Sequence, residues 1–351
     1  VLMNEGSDQA AQILARAIPG RALLVLLPAL EAEDGVSREG LRAAIADALQ
    51  RAPAEAVPVC ATWASEPRSI EASAIVAEAL GRVGEGELGT TLLRSAAQRA
   101  ESFEQLWRVI AAAAELPADA ELDAWLAARG QDERWMIRTE AAASLSARQS
   151  PMARDANLAL AADEFPRARE RAGTLLHGTN DRAPQRTLAQ RDAWPRVRAA
   201  AVTALAADTE ARALLVGALS DPKARVRLAA IEAFRSMRDP QAVDAVAARL
   251  ARPNELAAVQ RAAVRYLGEV GATAQVETLI TVVERGRAPN AYDPDIETAV
   301  LAVTVLGRLG GERATQYLSE LRDGGPPEAI KAAARRALDP AAVAPAPASP
   351  R

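Results

Sequence analysis

The sequence predicts an all-α chain built as an α-solenoid, and three observations carry that reading. First, a line of the form hydrophobic–Arg–x–x–Ala–Ala–x–x–Leu recurs along the chain. Ile137-Arg138 to Leu145, Val197-Arg198 to Leu205 and Val226-Arg227 to Phe234 are close copies; Leu41-Arg42 to Leu49, Ala168-Arg169 to Leu176 and Ile330-Lys331 to Leu338 are looser ones. Second, the last apolar residue of successive copies falls at 49, 80, 114, 145, 176, 205, 234, 267, 306 and 338, so the spacing stays between 29 and 39 residues. Third, apolar residues within a copy stand four apart, as Val226, Ala230 and Phe234 do, which is one stripe of a helix. A helical unit of this length cannot bury its apolar face alone; stacking on its neighbours does so, and each unit then touches only those neighbours.

Taken in order, the first helix of each pair is expected near 37–51, 69–83, 102–115, 133–147, 167–177, 195–207, 223–237, 255–270, 294–309 and 326–338. A flanking helix is expected at 7–18, and second helices fill the gaps, among them Thr209–Leu219, Pro240–Ala251, Thr273–Arg285 and Glu312–Arg322. Asp-Pro at 221–222, 239–240 and 293–294 offers an N-cap followed by a residue pre-set for the first helical turn. Gly84, Gly130 and Gly271 stand where helices should stop. Gly286–Ile296 is expected to be a long loop responsible for the 39-residue spacing. Residues 1–338 thus form a single solenoid, and 339–351 an Ala/Pro-rich tail with too little apolar surface to order itself. The ends lack polar capping repeats, which fits a segment of a longer chain or one that continues into another subunit.

Half of the residues are hydrophobic but only 3% are aromatic, which argues against a deep cofactor pocket and against an aromatic platform for stacking bases. The net charge of −4 hides an asymmetry: residues 1–175 hold 18 Lys and Arg against 26 Asp and Glu, and residues 176–351 hold 24 against 20. Two different partner surfaces, or simply solvated helix faces, produce such a division. Cys60 is alone, so neither an intrachain disulfide nor a cysteine zinc cluster is available, and it reads as a small buried side chain. The longest apolar run, Ala22–Leu30, contains Pro28 and is too short to span a bilayer. The chain starts at Val1 without a charged leader, as a processed or excised protein would, which leaves the compartment open.

Asp at the turn and Arg six residues later recur as Asp132/Arg138, Asp163/Arg169, Asp192/Arg198 and Asp221/Arg227. With these pairs, residues 20–338 resemble the HEAT-repeat superfamily, and in particular its short bacterial, phycobilin-lyase-type repeats. The resemblance implies a right-handed superhelix of about ten helix pairs, in which the Asp and Arg side chains pair between neighbouring repeats as a ladder. The planar Arg fork suits a carboxylate on the next layer. The pattern weakens at Asn254/Gln260, Glu101/Trp107 and Asp293/Ala299. Arg198→Ala is expected to destabilise by about 1–3 kcal/mol because a partly buried Asp192 would lose its partner.

Enzymes built on related repeats leave no matching signature here. Deoxyhypusine hydroxylases hold iron with repeated His-Glu pairs, whereas the one histidine, His177, precedes Gly178 and reads as a helix end. No nucleophile–base triad and no phosphate-binding glycine loop is present. Phycobilin-lyase subunits share only the repeats, and the tryptophans do not form the basic set of a DNA glycosylase; three of them fall at similar repeat phases, as packing residues would.

The most cationic stretch, 165–238, carries 14 Lys and Arg against 7 Asp and Glu. Once the ladder arginines are set aside, Arg182, Arg186 and Arg191 remain as contacts for an acidic protein segment or for phosphates. The Gly286–Ile296 loop, with Asn290 and Tyr292, is a second candidate contact. The sequence therefore predicts a non-enzymatic scaffold or adaptor that binds protein along the concave face lined by second helices, as part of a larger assembly. It predicts no cofactor, metal or small-molecule substrate. A nucleic-acid-associated solenoid using 165–238 is the alternative, and a lyase-like accessory protein a distant one.

Overall fold

The computed structural model describes residues 5–32, 37–176, 182–206, 208–252, 254–325 and 327–339. His177 and the tail beyond Asp339, both singled out above, lie outside the described residues. The chain divides into two units, Val1–Leu175 and Leu176–Arg351. Each is a stack of paired helices, and no strand occurs among the described residues.

The first unit contains α1 (Glu5–Ala17), α2 (Pro19–Glu31), α3 (Arg38–Arg51), α4 (Pro53–Ala64), α5 (Ile70–Arg82), α6 (Gly86–Arg99), α7 (Phe103–Ala113), α8 (Ala120–Ala128), α9 (Trp135–Ala147), α10 (Ala153–Ala161) and α11 (Pro166–Leu175). Local chemistry starts these helices. Ser37 accepts from the Gly40 N–H, Ser69 from Ala72 and Asp119 from Leu122, and Ser102 forms a reciprocal capping box with Gln105. The odd-numbered helices pack one on the next from α1 to α11, making a continuous inner layer. Its core is the apolar stripe of each repeat: Leu41, Ile45 and Leu49, then Ile75 and Leu80, then Leu106 and Ile110, then Ile137 and Leu145, all buried.

The second unit contains α12 (Ala183–Arg191), α13 (Pro195–Ala204), α14 (Arg212–Ala218), α15 (Ala224–Met237), α16 (Val243–Leu250), α17 (Ala257–Glu269), α18 (Val276–Arg287), α19 (Asp293–Leu309), α20 (Glu312–Asp323) and α21 (Glu328–Ala337). Here α13, α15, α17, α19 and α21 stack into the layer, and the even-numbered helices each cover a neighbour. Val226, Ala230 and Phe234 are fully buried along α15. The helices α14, α16 and α18 are each entered through a 3-10 turn, at Thr209–Ala211, Pro240–Ala242 and Thr273–Gln275.

Three local expectations are corrected. Only Asp239 of the Asp-Pro pairs is an N-cap, accepting from the Gln241 N–H ahead of a 3-10 turn. Asp221 instead folds the turn by accepting from the Lys223 N–H at 2.8 Å, and Asp293 lies inside the first turn of α19. Gly84 and Gly271 end helices at φ +85° and +68°, as an αL stop requires, whereas Gly130 lies within a 3-10 turn. The long loop is also shorter than expected. α18 runs through Gly286 to Arg287 because the missing side chain lets α19 approach; a Cβ there would stand 2.5 Å from the Ala299 Cβ. Only residues 288–292 connect the two helices.

Candidate functional site

The turns before α9, α11, α13, α15 and α17 are held by related Arg–acid contacts. In α9, Arg138 donates from Nε and Nη2 to both oxygens of Asp163 at 2.7 and 2.8 Å, while Nη1 reaches back to the carbonyls of Asp132 and Glu133. In α13, Arg198 makes the same fork on Asp221 at 2.8 and 2.9 Å and binds the carbonyls of Asp192 and Ala193. In α15, Arg227 forks onto Glu255 and binds the Asp221 carbonyl at 2.7 Å. Each acid also fixes its own turn by accepting the N–H two residues on, Phe165 for Asp163, Trp194 for Asp192 and Lys223 for Asp221. Arg169 binds the carbonyls of Asp163 and Glu164, and Asp132 takes a bidentate fork from Arg134.

Arg198 therefore spans forward to Asp221 and touches only the carbonyl of Asp192, so removing it strands Asp221; the expectation that Asp192 loses a partner is corrected. At 254–260 the acid is Glu255, buried and shared by Arg227 and Arg249, and Gln260 donates to the Glu255 carbonyl at 3.1 Å. Burial works against the Asp163 and Asp221 carboxylates, but the Arg forks and turn N–H groups outweigh it and hold both below their ordinary range. The same balance, with Arg227 and Arg249, lowers Glu255.

Sequence reading missed two further arrangements. Arginines on even-numbered helices reach the acid that opens the next one: Arg94 stands 3.8 Å from Asp119, Arg186 is 2.8 Å from Asp208, and Arg212 is 2.7 Å from Asp239. These offsets vary from pair to pair, so no fixed motif announces them. Asp239 also gives its carbonyl to the hydroxyl of buried Tyr266, whose pKa burial pushes up to about 12. In the first unit, Arg148 at the end of α9 is wholly buried, with Nε donating to Asp123 of α8 at 2.9 Å and Nη1 to the Ala113 carbonyl of α7.

These pairings consume much of the cationic stretch. Arg186 is held by Asp208 and Glu210, Arg212 by Asp239, Arg235 by Glu232 and Glu269. Arg182 sits half-buried at the start of α12 and Arg191 is exposed in its last turn. Lys223, Arg225 and Arg238 are exposed as well. Asn290 and Tyr292 are exposed on the α18–α19 connection, Tyr292 at 76%, and its N–H donates to Asp295. The two groups of candidate residues thus occupy separate places in the second unit.

Three of the tryptophans are expected to be repeat packing, and several aromatic side chains, Trp107 and Trp194 among them, lie at the surface. Trp135 and Phe165 stack with centroids 4.9 Å apart and planes 8° from parallel, and Phe165 is 41% exposed. Phe103 lies between Trp107 at 5.9 Å and the Arg134 guanidinium at 5.8 Å. Cys60 is buried, which pushes its thiol up to about 12. Among the described residues no group of three or more His, Cys, Asp or Glu is placed to hold a metal ion, and no helix is long and apolar enough to cross a membrane.

A slot of about 750 Å³ opens above α9, lined by residues of α8 and α10 and by the turns that follow them. Buried Ala141, Ala142, Leu126 and Leu160 contribute to its lining, along with Glu133, Asp155 and Glu164.

Residues 183–257 match the family model for HEAT repeats. No curated protein matches the chain. Among solved structures, Kap121p is similar over 89% of this chain and 40% of its own, at 13% identity and a TM-score of 0.53. Kap121p bound to Pho4p is similar over 92% and 42%, at 13% identity and a TM-score of 0.55. The chain thus spans about two fifths of the length of these structures, and the likeness is one of fold. HEAT repeats are usually non-enzymatic and are typically used for protein binding. Residues 183–257 thus carry HEAT repeats, and the paired helices throughout the described residues share their fold with Kap121p.

Proposed function

We propose that this protein is a non-enzymatic scaffold or adaptor that binds other proteins through its even-numbered helices and the grooves between them, as a component of a larger assembly. The observation that carries this is the apolar surface left uncovered around a closed core. Leu24 and Val25, adjacent on α2, are each more than half exposed, although the stripes of the inner helices are buried almost completely. Contiguous exposed apolar surface marks an interaction site, and Leu24 lines a groove between α2 and α4 together with Leu23, Leu27, Pro58 and Val59. Asn290 and Tyr292 offer a polar and aromatic contact on one loop, and Arg182 and Arg191 a cationic one on α12. With Arg186, Arg198, Arg212, Arg227 and Arg235 engaged by acids, the stretch 165–238 presents fewer available charges to phosphates than its composition suggests.

The test is capture from native extract with and without nuclease, read by crosslinking mass spectrometry. A nuclease-resistant protein crosslinked to even-numbered helices is the expected outcome. Recovery that vanishes with nuclease would replace the scaffold reading with a nucleic-acid one and make Arg191, Lys223 and Arg225 the residues to reverse.

A further inference from the structure

We propose that the slot over α9 is a docking site for a basic amphipathic segment of another protein, one whose apolar side chains are flanked by arginine or lysine. The proposal rests on the protein-binding reading above and adds the face and the chemistry of the partner. α8 ends at Ala128 and continues as the 3-10 turn Arg129–Gln131, and α10 packs on that turn and on α9. The slot opens beside that turn, with Ala141 and Ala142 of α9 in its lining. Small side chains, Ala141 and Ala142 below with Ala156 and Ala159 beside them, make the opening wide enough for a chain segment to lie against it. Met152 also lines it and is 37% exposed, a flexible thioether suited to repacking around an apolar guest.

The charge around this apolar surface has one sign. Glu133, Asp155 and Glu164 line the slot and are exposed. The one cation among the described lining residues, Arg138, already has its guanidinium on Asp163 and on the Asp132 and Glu133 carbonyls. Residues 1–175 as a whole carry 26 acidic against 18 basic residues. An apolar floor rimmed by exposed carboxylates favours a guest carrying both apolar and cationic groups, and rejects an acidic polymer by like-charge repulsion.

The test uses the full chain and three labelled synthetic peptides read by fluorescence anisotropy: an amphipathic Leu/Arg helix former, its Leu/Glu counterpart, and a Gly/Ser/Arg peptide of equal positive charge. Three variants accompany it. Asp155→Lys with Glu164→Lys reverses the rim; Ala159→Trp fills the slot from the exposed side of α10; Glu85→Lys with Glu87→Lys makes the same charge change elsewhere in the unit. The Leu/Arg peptide should bind the wild type and the Glu85/Glu87 variant alike, and the other two variants at least about tenfold more weakly, a loss of about 1.4 kcal/mol. Both other peptides should bind the wild type at least about tenfold more weakly. Circular dichroism checks that each variant keeps its helices.

Equal binding by the rim and slot variants would overturn the proposal, as would equal binding of the Gly/Ser/Arg peptide or no binding at all. A concentration-dependent dimer in sedimentation velocity that the rim reversal dissolves would make the occupant a second copy of this chain and likewise overturn it. If the peptides fail while crosslinking still yields a nuclease-resistant partner, the slot falls and the scaffold reading stands. If crosslinking yields none while the slot binds as expected, the slot stands and only the membership in a larger assembly falls.

Discussion

Asp163, Asp221 and Glu255 each work for two repeats: each folds its own turn through a backbone N–H and receives the arginine of the repeat before. Arg198→Ala therefore strands a largely buried Asp221 and frees the Asp192 carbonyl, at an expected cost of about 1–3 kcal/mol in urea denaturation. Arg148 is the more severe case, since it and Asp123 are both fully buried. Arg148→Ala leaves an uncompensated charge and should cost about 3–5 kcal/mol, whereas replacing both residues, Arg148→Met with Asp123→Leu, should cost less than the single change. A double variant as unstable as the single would show that the packing of the guanidinium, rather than its charge pairing, matters there. Arg148 stands outside the repeated line and its partner is 25 residues away on another helix, so nothing in the sequence pairs them. The Asp–Arg six-residue offset was visible by contrast because both residues recur at one phase.

Among the elements, glycines at helix crossings and glycines in open positions should respond in opposite directions. A Cβ on Gly286 would meet the Ala299 Cβ at 2.5 Å and the Asp295 carbonyl oxygen at 2.9 Å. Gly286→Ala should therefore destabilise by about 1–3 kcal/mol through overpacking. Gly217 in α14 has nothing within 4 Å of a built Cβ, so Gly217→Ala should stabilise by about 0.5–1 kcal/mol, both read as shifts of the thermal midpoint. The inner helices were legible because their apolar stripe repeats; α3, α5, α15 and α17 each begin and end within about two residues of the expected limits. The α18–α19 connection was misread because Gly, Pro and Asn clustered at 286–290 look like a loop, and a close helix approach selects Gly for a different reason. The surface grooves had no signature at all, since alanine reads as helix former whether it is covered or left open.

For the whole molecule, the acids of the ladder set an acid limit on stability. Asp163, Asp221 and Glu255 are held below their ordinary values of 3.8 to 4.5, so their contribution is fully present above that range and is lost as pH falls through their folded-state values. The thermal midpoint should stay level from neutral pH to about 5 and drop below about 4, with a shallower drop in Asp221→Asn, measured by calorimetry across pH. The repeat fold was readable from the sequence; the partner was not, because a solenoid leaves its surface residues free of the pattern that defines its core.

Glu255 is where the ladder stops. Gln260 supplies a carbonyl contact but no fork, and beyond it α17 and α19 share the surface pair Arg261–Glu297, whose glutamate is 67% exposed. Under mechanical load applied within the second unit, this is a fault line. The helices from α19 onward should yield first and separately, while α13, α15 and α17 stay clamped, so a force-extension trace should break first at the edge of the tethered arginines.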